Sequence, residues 1–273
     1  MFSLRHFSVS LVLLFLFTSV FAGDPFRLPA GAGEAGMNYA CITGTSFWSS
    51  FHNQASLAYN SSFAAGFSYE NRFGLSELST KTGAIVVPAG KASIAGAYSY
   101  FGYHDFRRHS AGLACGLKLS EKISAGAQVD YFSEMTYGEY EDHQTVSFEI
   151  GVLLSPSQNV KVGLHLFNPL PESLTGSLLP SGIRAGAGVN LTSYLFAAAE
   201  AEMTTTSRLL VRTGFEYEAF KKVLVRGGFC SDNTSFSFGL GYRLDFMQLD
   251  LGFVTHDRLG VTSSASMIFI LKK

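Results

Sequence analysis

Apolar and polar residues alternate along most of the chain, in runs of about ten residues. The clearest run is 235–245, where every second residue is apolar and the residues between are serine, glycine, arginine or aspartate. Successive side chains of a β-strand point to opposite faces of the sheet. The pattern therefore predicts strands with one apolar face and one polar face. The apolar members of this run are Phe236, Phe238, Leu240, Tyr242 and Leu244.

From residue 61 onward the alternation divides into about 14 runs. The length of each connection depends on whether it follows an odd- or an even-numbered run. Tight connections follow the even-numbered runs, whereas the two longest, 133–143 and 168–181, follow odd-numbered runs. An even strand count, with short turns at one end and longer loops at the other, is typical of bacterial outer-membrane barrels. An open sheet edge in hydrocarbon would leave backbone groups without hydrogen bonds, so the sheet has to close. The runs are 61–71, 75–87, 91–102, 107–119, 122–134, 144–155, 158–167, 182–191, 194–203, 208–219, 221–231, 234–245, 247–255 and 261–271.

The first part of the chain does not alternate. Residues 1–22 combine a basic start, a short apolar stretch and a small-residue exit ending at Ala22, the layout of a cleavable signal peptide. Residues 23–60 contain Phe47, Trp48 and Phe51, which suit a short helix packed inside a barrel mouth. We therefore predict an all-β chain: a signal peptide (1–22), a plug segment (23–60) and a closed antiparallel transmembrane β-barrel (61–273).

Composition narrows the function classes. Charged residues make up 15% of the chain, against about 25% in soluble domains. The net charge of −1 and the lack of a basic run argue against a nucleic-acid partner. The cysteines, Cys41, Cys115 and Cys230, show no paired metal-binding spacing, and packed free thiols are favoured over pairing.

No catalytic motif is present. The seven histidines are scattered, and the metalloprotease, nucleophile-elbow and phosphate-loop patterns do not occur. The acidic stretch 139–143 has the oxygen ligands of a calcium site, but a solvated loop is the favoured interpretation. We predict a protein that is not an enzyme and that has no cofactor.

Charged residues recur on the polar faces of the strands. Because isolated charges are costly in a narrow lumen, opposite charges on adjacent strands are expected to pair and fill it. A substrate path would use the same residues beside a continuous cavity. The residues of this predicted lumen charge ladder are Arg184, Arg212, Glu216, Arg226 and Arg243.

Several short motifs resemble those of a known family. The stretch 52–58 reads His-Asn-Gln-Ala-Ser-Leu-Ala, and the later stretches 162–169, 179–186, 214–217 and 225–229 follow in the order that this family uses. Together they resemble PorV/PorQ-type outer-membrane barrels, relatives of the FadL fatty-acid transporters. The usual Asn-Pro-Ala-Gly-Leu is replaced here by Asn-Gln-Ala-Ser-Leu, starting at Asn53.

The resemblance implies a barrel of the Gram-negative outer membrane, with a Bacteroidetes origin, whose N-terminal segment plugs or gates the lumen. The main functional hypothesis is a non-enzymatic accessory of type IX protein secretion or surface assembly, with secretion-system proteins or exported cargo as partners. The alternative is a FadL-like transporter of hydrophobic molecules. A ligand would then contact the plug at Phe47, Trp48, Phe51 and Asn53. A hydrophobic pocket under the plug would favour the transporter, and a filled lumen with long docking loops would favour the accessory.

Overall fold

The computed structural model describes residues 29–137, 142–169, 179–206 and 209–271. The predicted signal peptide, residues 23–28 of the predicted plug segment and most of the acidic stretch 139–143 lie outside the described residues. Among those that the structure describes, no helix is long and apolar enough to cross a bilayer.

The strands form one closed antiparallel barrel in which each strand pairs with its neighbours in the chain and the first pairs with the last. The predicted fold class is confirmed. The strands are Phe63–Asn71 (β1), Ser79–Ala89 (β2), Ala92–Gly102 (β3), Phe106–Lys118 (β4), Ile123–Thr136 (β5), His143–Leu154 (β6), Val160–Phe167 (β7), Gly182–Asn190 (β8), Leu195–Thr204 (β9), Leu210–Ala219 (β10), Val223–Cys230 (β11), Ser235–Arg243 (β12), Met247–His256 (β13) and Gly260–Leu271 (β14).

Most strand boundaries lie within two residues of the predicted ones, and the largest difference is at the start of β2. The sequence predicts that this strand begins at residue 75, but it begins at Ser79. Residues Ser76–Leu78 form a 3-10 turn, and Phe73 and Gly74 adopt positive φ angles of 58° and 75°. The chain therefore makes a turn before β2 begins to pair with its neighbouring strands, although apolar and polar residues already alternate in this segment.

The two faces of the wall differ as the alternation predicts. Phe238 and Leu240 are 47% and 41% exposed on the outside, whereas Arg226 on the neighbouring strand is 4% exposed and faces inward. The six connections that follow even-numbered strands lie at one end of the barrel, which we call the turn end. The opposite end, which holds the longer connections, is called the loop end.

Residues 29–62 run through the lumen, and we call this segment the plug. It contains the short α-helix α1 (Ala32–Gly36) and two 3-10 helices, Phe47–Phe51 and Gln54–Tyr59. Helix α1 packs against β11 to β14, and the second 3-10 helix packs against β3 to β6. The plug therefore spans the lumen from one side of the wall to the other. A further 3-10 turn, Asp232–Thr234, connects β11 and β12.

Inward-facing glycines make room for the plug. An added Cβ atom at Gly126 would lie 2.3 Å from the backbone carbon of Gln54, and one at Gly239 would lie 2.9 Å from the Cα of Gly36. A side chain at these positions would meet backbone rather than a movable group, so the plug can seat only where the strand carries glycine. Ten strands contribute to this glycine collar: Gly66, Gly116, Gly126, Gly151, Gly163, Gly186, Gly214, Gly228, Gly239 and Gly252.

Candidate functional site: the plugged lumen

Serine and asparagine side chains fix the first part of the plug to the wall. The backbone N–H of Ala32 donates to Ser266 Oγ at 3.1 Å, and Ser237 Oγ donates to the Gly36 carbonyl at 2.9 Å. The amide of Asn38 donates to Ser235 Oγ at 3.1 Å. The bonds of Ala32 and Gly36 satisfy backbone groups of a helix too short to satisfy them itself.

Two amide side chains anchor the far end of the plug. Asn53 donates to the carbonyl of Val152 at 3.2 Å and to the carbonyl of Ile42 at 3.0 Å, and its oxygen caps the second 3-10 helix by accepting from Ala55 N–H. The Asn53 side chain is fully buried, so each of these bonds is shielded from water. Asn53 was predicted as a possible ligand contact, and the structure places it in the anchoring of the plug.

Gln54, the next residue of the motif at 52–58, continues this anchoring. Its amide nitrogen donates to Glu149, which also pairs with His165 at 3.0 Å, and to Gln128 at 3.4 Å. The Gln54 side chain thus makes a specific contact between plug and wall.

Arg184 connects the charge ladder to the plug. Its guanidinium pairs with Glu200 and lies 3.5 Å from Glu202. The same group donates to the carbonyl of Tyr39 at 3.1 Å and reaches the carbonyl of His52 at 3.5 Å. Glu200 in turn accepts from the backbone N–H of Ile42 at 3.0 Å. One buried ion pair thus holds three points of the plug.

The other predicted ladder residues also face the lumen and form ion pairs. Arg226 lies 2.6 Å from Glu216 and 2.6 Å from Asp250, and Arg212 pairs with Glu202. Arg243, at the turn end, lies 3.4 Å from Glu218 and is 45% exposed. The charge ladder therefore runs from buried ion pairs at the centre of the lumen to a solvent-exposed ion pair at the turn end. Buried and exposed pairs differ in what they contribute to stability.

The plug aromatics form a compact cluster. The rings of Phe47 and Trp48 meet edge to face at 4.8 Å, and Trp48 and Phe51 are 5.8 Å apart. Phe47 and Trp48 are buried with Leu57 and Ile268 in the largest apolar cluster of the described lumen. Such a cluster holds the plug in one position because its rings interlock with the wall.

A cavity of about 500 Å³ lies between the plug and the turn end. Apolar side chains, among them Met37, Phe47 and Ile268, form part of its lining. Polar and charged side chains, among them Glu34 and Arg226, form the rest. Of the four residues predicted to contact a ligand, Phe47 lines this cavity, and Trp48, Phe51 and Asn53 do not. A cavity of this size and mixed lining admits a small amphiphilic or aromatic molecule.

The three cysteines are free thiols. Cys41 and Cys230 are buried and Cys115 is exposed on the outer wall. Within the part of the chain that the structure describes, no cluster of three or more histidine, cysteine, aspartate or glutamate side chains has metal-binding geometry.

The fold is that of outer-membrane β-barrels. Comparison with solved structures finds a FadL homologue of Pseudomonas aeruginosa (14% identity, 90% of this chain and 98% of that chain, TM-score 0.62). It also finds the toluene transporters TodX of Pseudomonas putida (8%, 91% and 100%, 0.68) and TbuX of Ralstonia pickettii (11%, 90% and 98%, 0.62). At these identities the likeness establishes the fold alone. No protein-family model and no curated protein sequence matches the chain.

Proposed function

We propose that this protein is an outer-membrane transporter that passes small hydrophobic molecules through a lumen gated by the plug. The observation that carries the proposal is the cavity of about 500 Å³ directly beneath a plug that fills the barrel. A purely structural barrel needs neither a cavity nor a separate internal segment held by individual hydrogen bonds. Displacement of the plug would join the cavity to the loop end.

The apolar outer wall supports the membrane location. We expect Phe238→Arg to destabilise the barrel by about 2–4 kcal/mol, because it places a charge midway along a lipid-facing strand. The matched control is Phe220→Arg in a turn, where the phenylalanine is 93% exposed and a cost of about 0–1 kcal/mol is expected near the interface. Unfolding of both variants in lipid bilayers gives the two values. Equal costs would contradict the membrane location.

The similar solved structures include proteins described as toluene transporters, which supports the transporter over the accessory role. The predicted accessory role in type IX secretion has no support from these comparisons. The connections at the loop end between β3 and β4 and between β13 and β14 span only residues 103–105 and 257–259, which is short for a protein-docking rim.

A reversible cross-link between plug and wall tests the gating. Asn38 and Ser235, whose side chains are hydrogen-bonded, are replaced by cysteine in a chain whose three native cysteines are changed to alanine. A short bifunctional thiosulfonate reagent bridges them, and a reductant releases them. We expect uptake of radiolabelled toluene by Gram-negative cells to fall to the level of cells without the protein when the bridge forms. Uptake should recover on reduction.

The two ways in which this test can fail are distinct. Full uptake through the bridged protein would contradict gating by the plug while leaving transport intact. Uptake that never exceeds that of cells lacking the protein would overturn the transporter proposal. Secretion-system components recovered with the gently extracted protein would then favour the accessory role.

The Glu34 carboxyl predicts that the plug responds to pH. Burial raises its pKa from 4.5 to about 7, against the smaller opposing effects of a hydrogen bond from Ser46 and the charge of Arg226. The seated plug therefore binds this proton more tightly than a displaced, solvated plug. Seating is most stable below about pH 4.5, weakens as the pH rises towards 7 and changes little above that.

The full effect is at most about 3 kcal/mol. We expect the open probability of single channels in planar bilayers to be at least tenfold higher at pH 8 than at pH 5. Glu34→Gln should remove this difference. A wild-type channel that opens more readily at pH 5 would contradict the assignment.

A further inference from the structure

The outer wall is almost free of charge. At the outward-facing positions of the fourteen strands, taken over the ranges that the structure describes, the only lysine, arginine, histidine, aspartate or glutamate residues are Lys81, Arg107 and His109. All three carry or can gain a positive charge. Lys81 lies at the start of β2, and the other two lie at the start of β4, so all three lie near the loop end. Charges scattered at random would not collect with one sign on two strands that flank β3.

Tyrosines join these residues into one patch. Lys81, Tyr100 and His109 are register partners on β2, β3 and β4. The Lys81 ammonium lies 5.7 Å from the centre of the Tyr100 ring, and that ring lies 5.2 Å from the His109 ring. The hydroxyl of Tyr98 is 2.6 Å from His109 Nδ1. Tyrosine belongs at the boundary between hydrocarbon and water, which fixes the height of the patch on the wall.

No acidic side chain neutralises the patch. Among the described residues, neither Lys81 nor Arg107 forms an ion pair with a carboxylate, and Arg107 Nε donates to Met135 Sδ at 3.3 Å. The inward-facing arginines, by contrast, are paired. At the edge of an apolar wall such a cation reaches the interface, where an anionic headgroup stabilises it more than water alone does.

An apolar groove of about 1140 Å³ leads away from Lys81 along the outer wall. Its sides are formed by Phe67, Tyr69, Tyr98, Leu240, Leu251 and Met267. Ala265 lies at the register position between Tyr69 and Leu251, so a small side chain separates the larger ones. The groove is therefore a lipid-facing depression with a positive charge at one end.

We propose that this surface binds a phosphate-bearing anionic membrane lipid. The phosphate meets Lys81, Arg107 and His109, and an acyl chain lies in the groove. Positive charges at the interface attract anionic headgroups, and the apolar depression gives the chain more contact than a convex wall would. The proposal requires only that the wall faces lipid, and it is independent of what passes through the lumen.

Native mass spectrometry of the full-length protein in mild detergent tests the site. Phosphatidylglycerol and phosphatidylcholine with identical acyl chains are added separately, and bound lipid is counted. We expect phosphatidylglycerol to bind more tightly. Neutralising the two permanent cations in Lys81→Gln/Arg107→Gln should weaken it roughly fivefold for each, about twenty-five-fold in all. Lys81→Arg should retain binding, because the charge stays.

Two further variants separate the contribution of the lipid headgroup to binding from that of the acyl chain. Lys91→Gln/Lys122→Gln removes the same charge from exposed lysines at the turn end of the same strands and should leave binding unchanged. Ala265→Trp fills the groove and should weaken the binding of both lipids to the same extent. Equal binding of the two lipids by the wild-type protein, or equal losses in the two lysine-containing double variants, would overturn the proposal. Transport of toluene is measured in parallel, and its loss would bear on the gating proposal alone.

Discussion

Gly126→Val is expected to open the barrel without unfolding it. The added Cβ atom would lie 2.3 Å from the backbone carbon of Gln54 and 2.5 Å from the nitrogen of Ala55, so neither a rotamer change nor a small shift relieves the contact. Overpacking typically costs about 1–3 kcal/mol, and a contact with backbone lies at the upper end of that range. The whole cost falls on the seated plug, because valine itself favours a strand.

A cost of that size shifts the equilibrium between seated and displaced plug by about a hundredfold. Single-channel recording in planar bilayers should therefore show frequent openings in Gly126→Val where the wild-type protein stays closed. The matched control is Gly96→Val on the outer face of β3, where no atom lies within 4 Å of an added Cβ. If Gly126→Val folds and remains as closed as Gly96→Val, the plug does not close the lumen.

The strand pattern was readable because the barrel wall separates two very different environments. Nearly all lipid-facing positions are apolar, so residues such as Phe238 and Leu240 repeat with a period of two regardless of what fills the lumen. The start of β2 was misplaced because a 3-10 turn and two positive φ angles interrupt pairing without interrupting the alternation.

The seat of the plug was not predictable from the sequence in the same way. Each collar glycine looks like an ordinary small residue on the polar face, and only strand pairing shows that ten strands present glycine towards the plug. A signal was present in the repetition of glycine at inward positions of consecutive strands. The contacts of Gln54 and Ser237 could not be predicted either, because the residues they bond to lie far away in the chain.

Arg184→Met is expected to be among the most destabilising single changes in the lumen. The guanidinium is 3% exposed and neutralises Glu200, which is itself 1% exposed in its side chain. Removing it leaves the buried Glu200 carboxylate with only the more distant Arg212, 3.6 Å away, and two plug carbonyls without this donor, at a cost of about 3–5 kcal/mol. Arg243→Met serves as the control, because its ion pair is 45% and 31% exposed and contributes about 0–1 kcal/mol.

The double variant Arg184→Met/Glu200→Gln decides whether the cost comes from the stranded charge. A glutamine oxygen can still accept the bond from the N–H of Ile42, while the buried negative charge is gone. We therefore expect the double variant to regain about 1–3 kcal/mol of the unfolding free energy that Arg184→Met loses, as measured by denaturant titration in micelles. No recovery would mean that the arginine acts through the carbonyls of Tyr39 and His52. The plug, rather than the ion pair, would then be the main source of stability at the centre of the barrel.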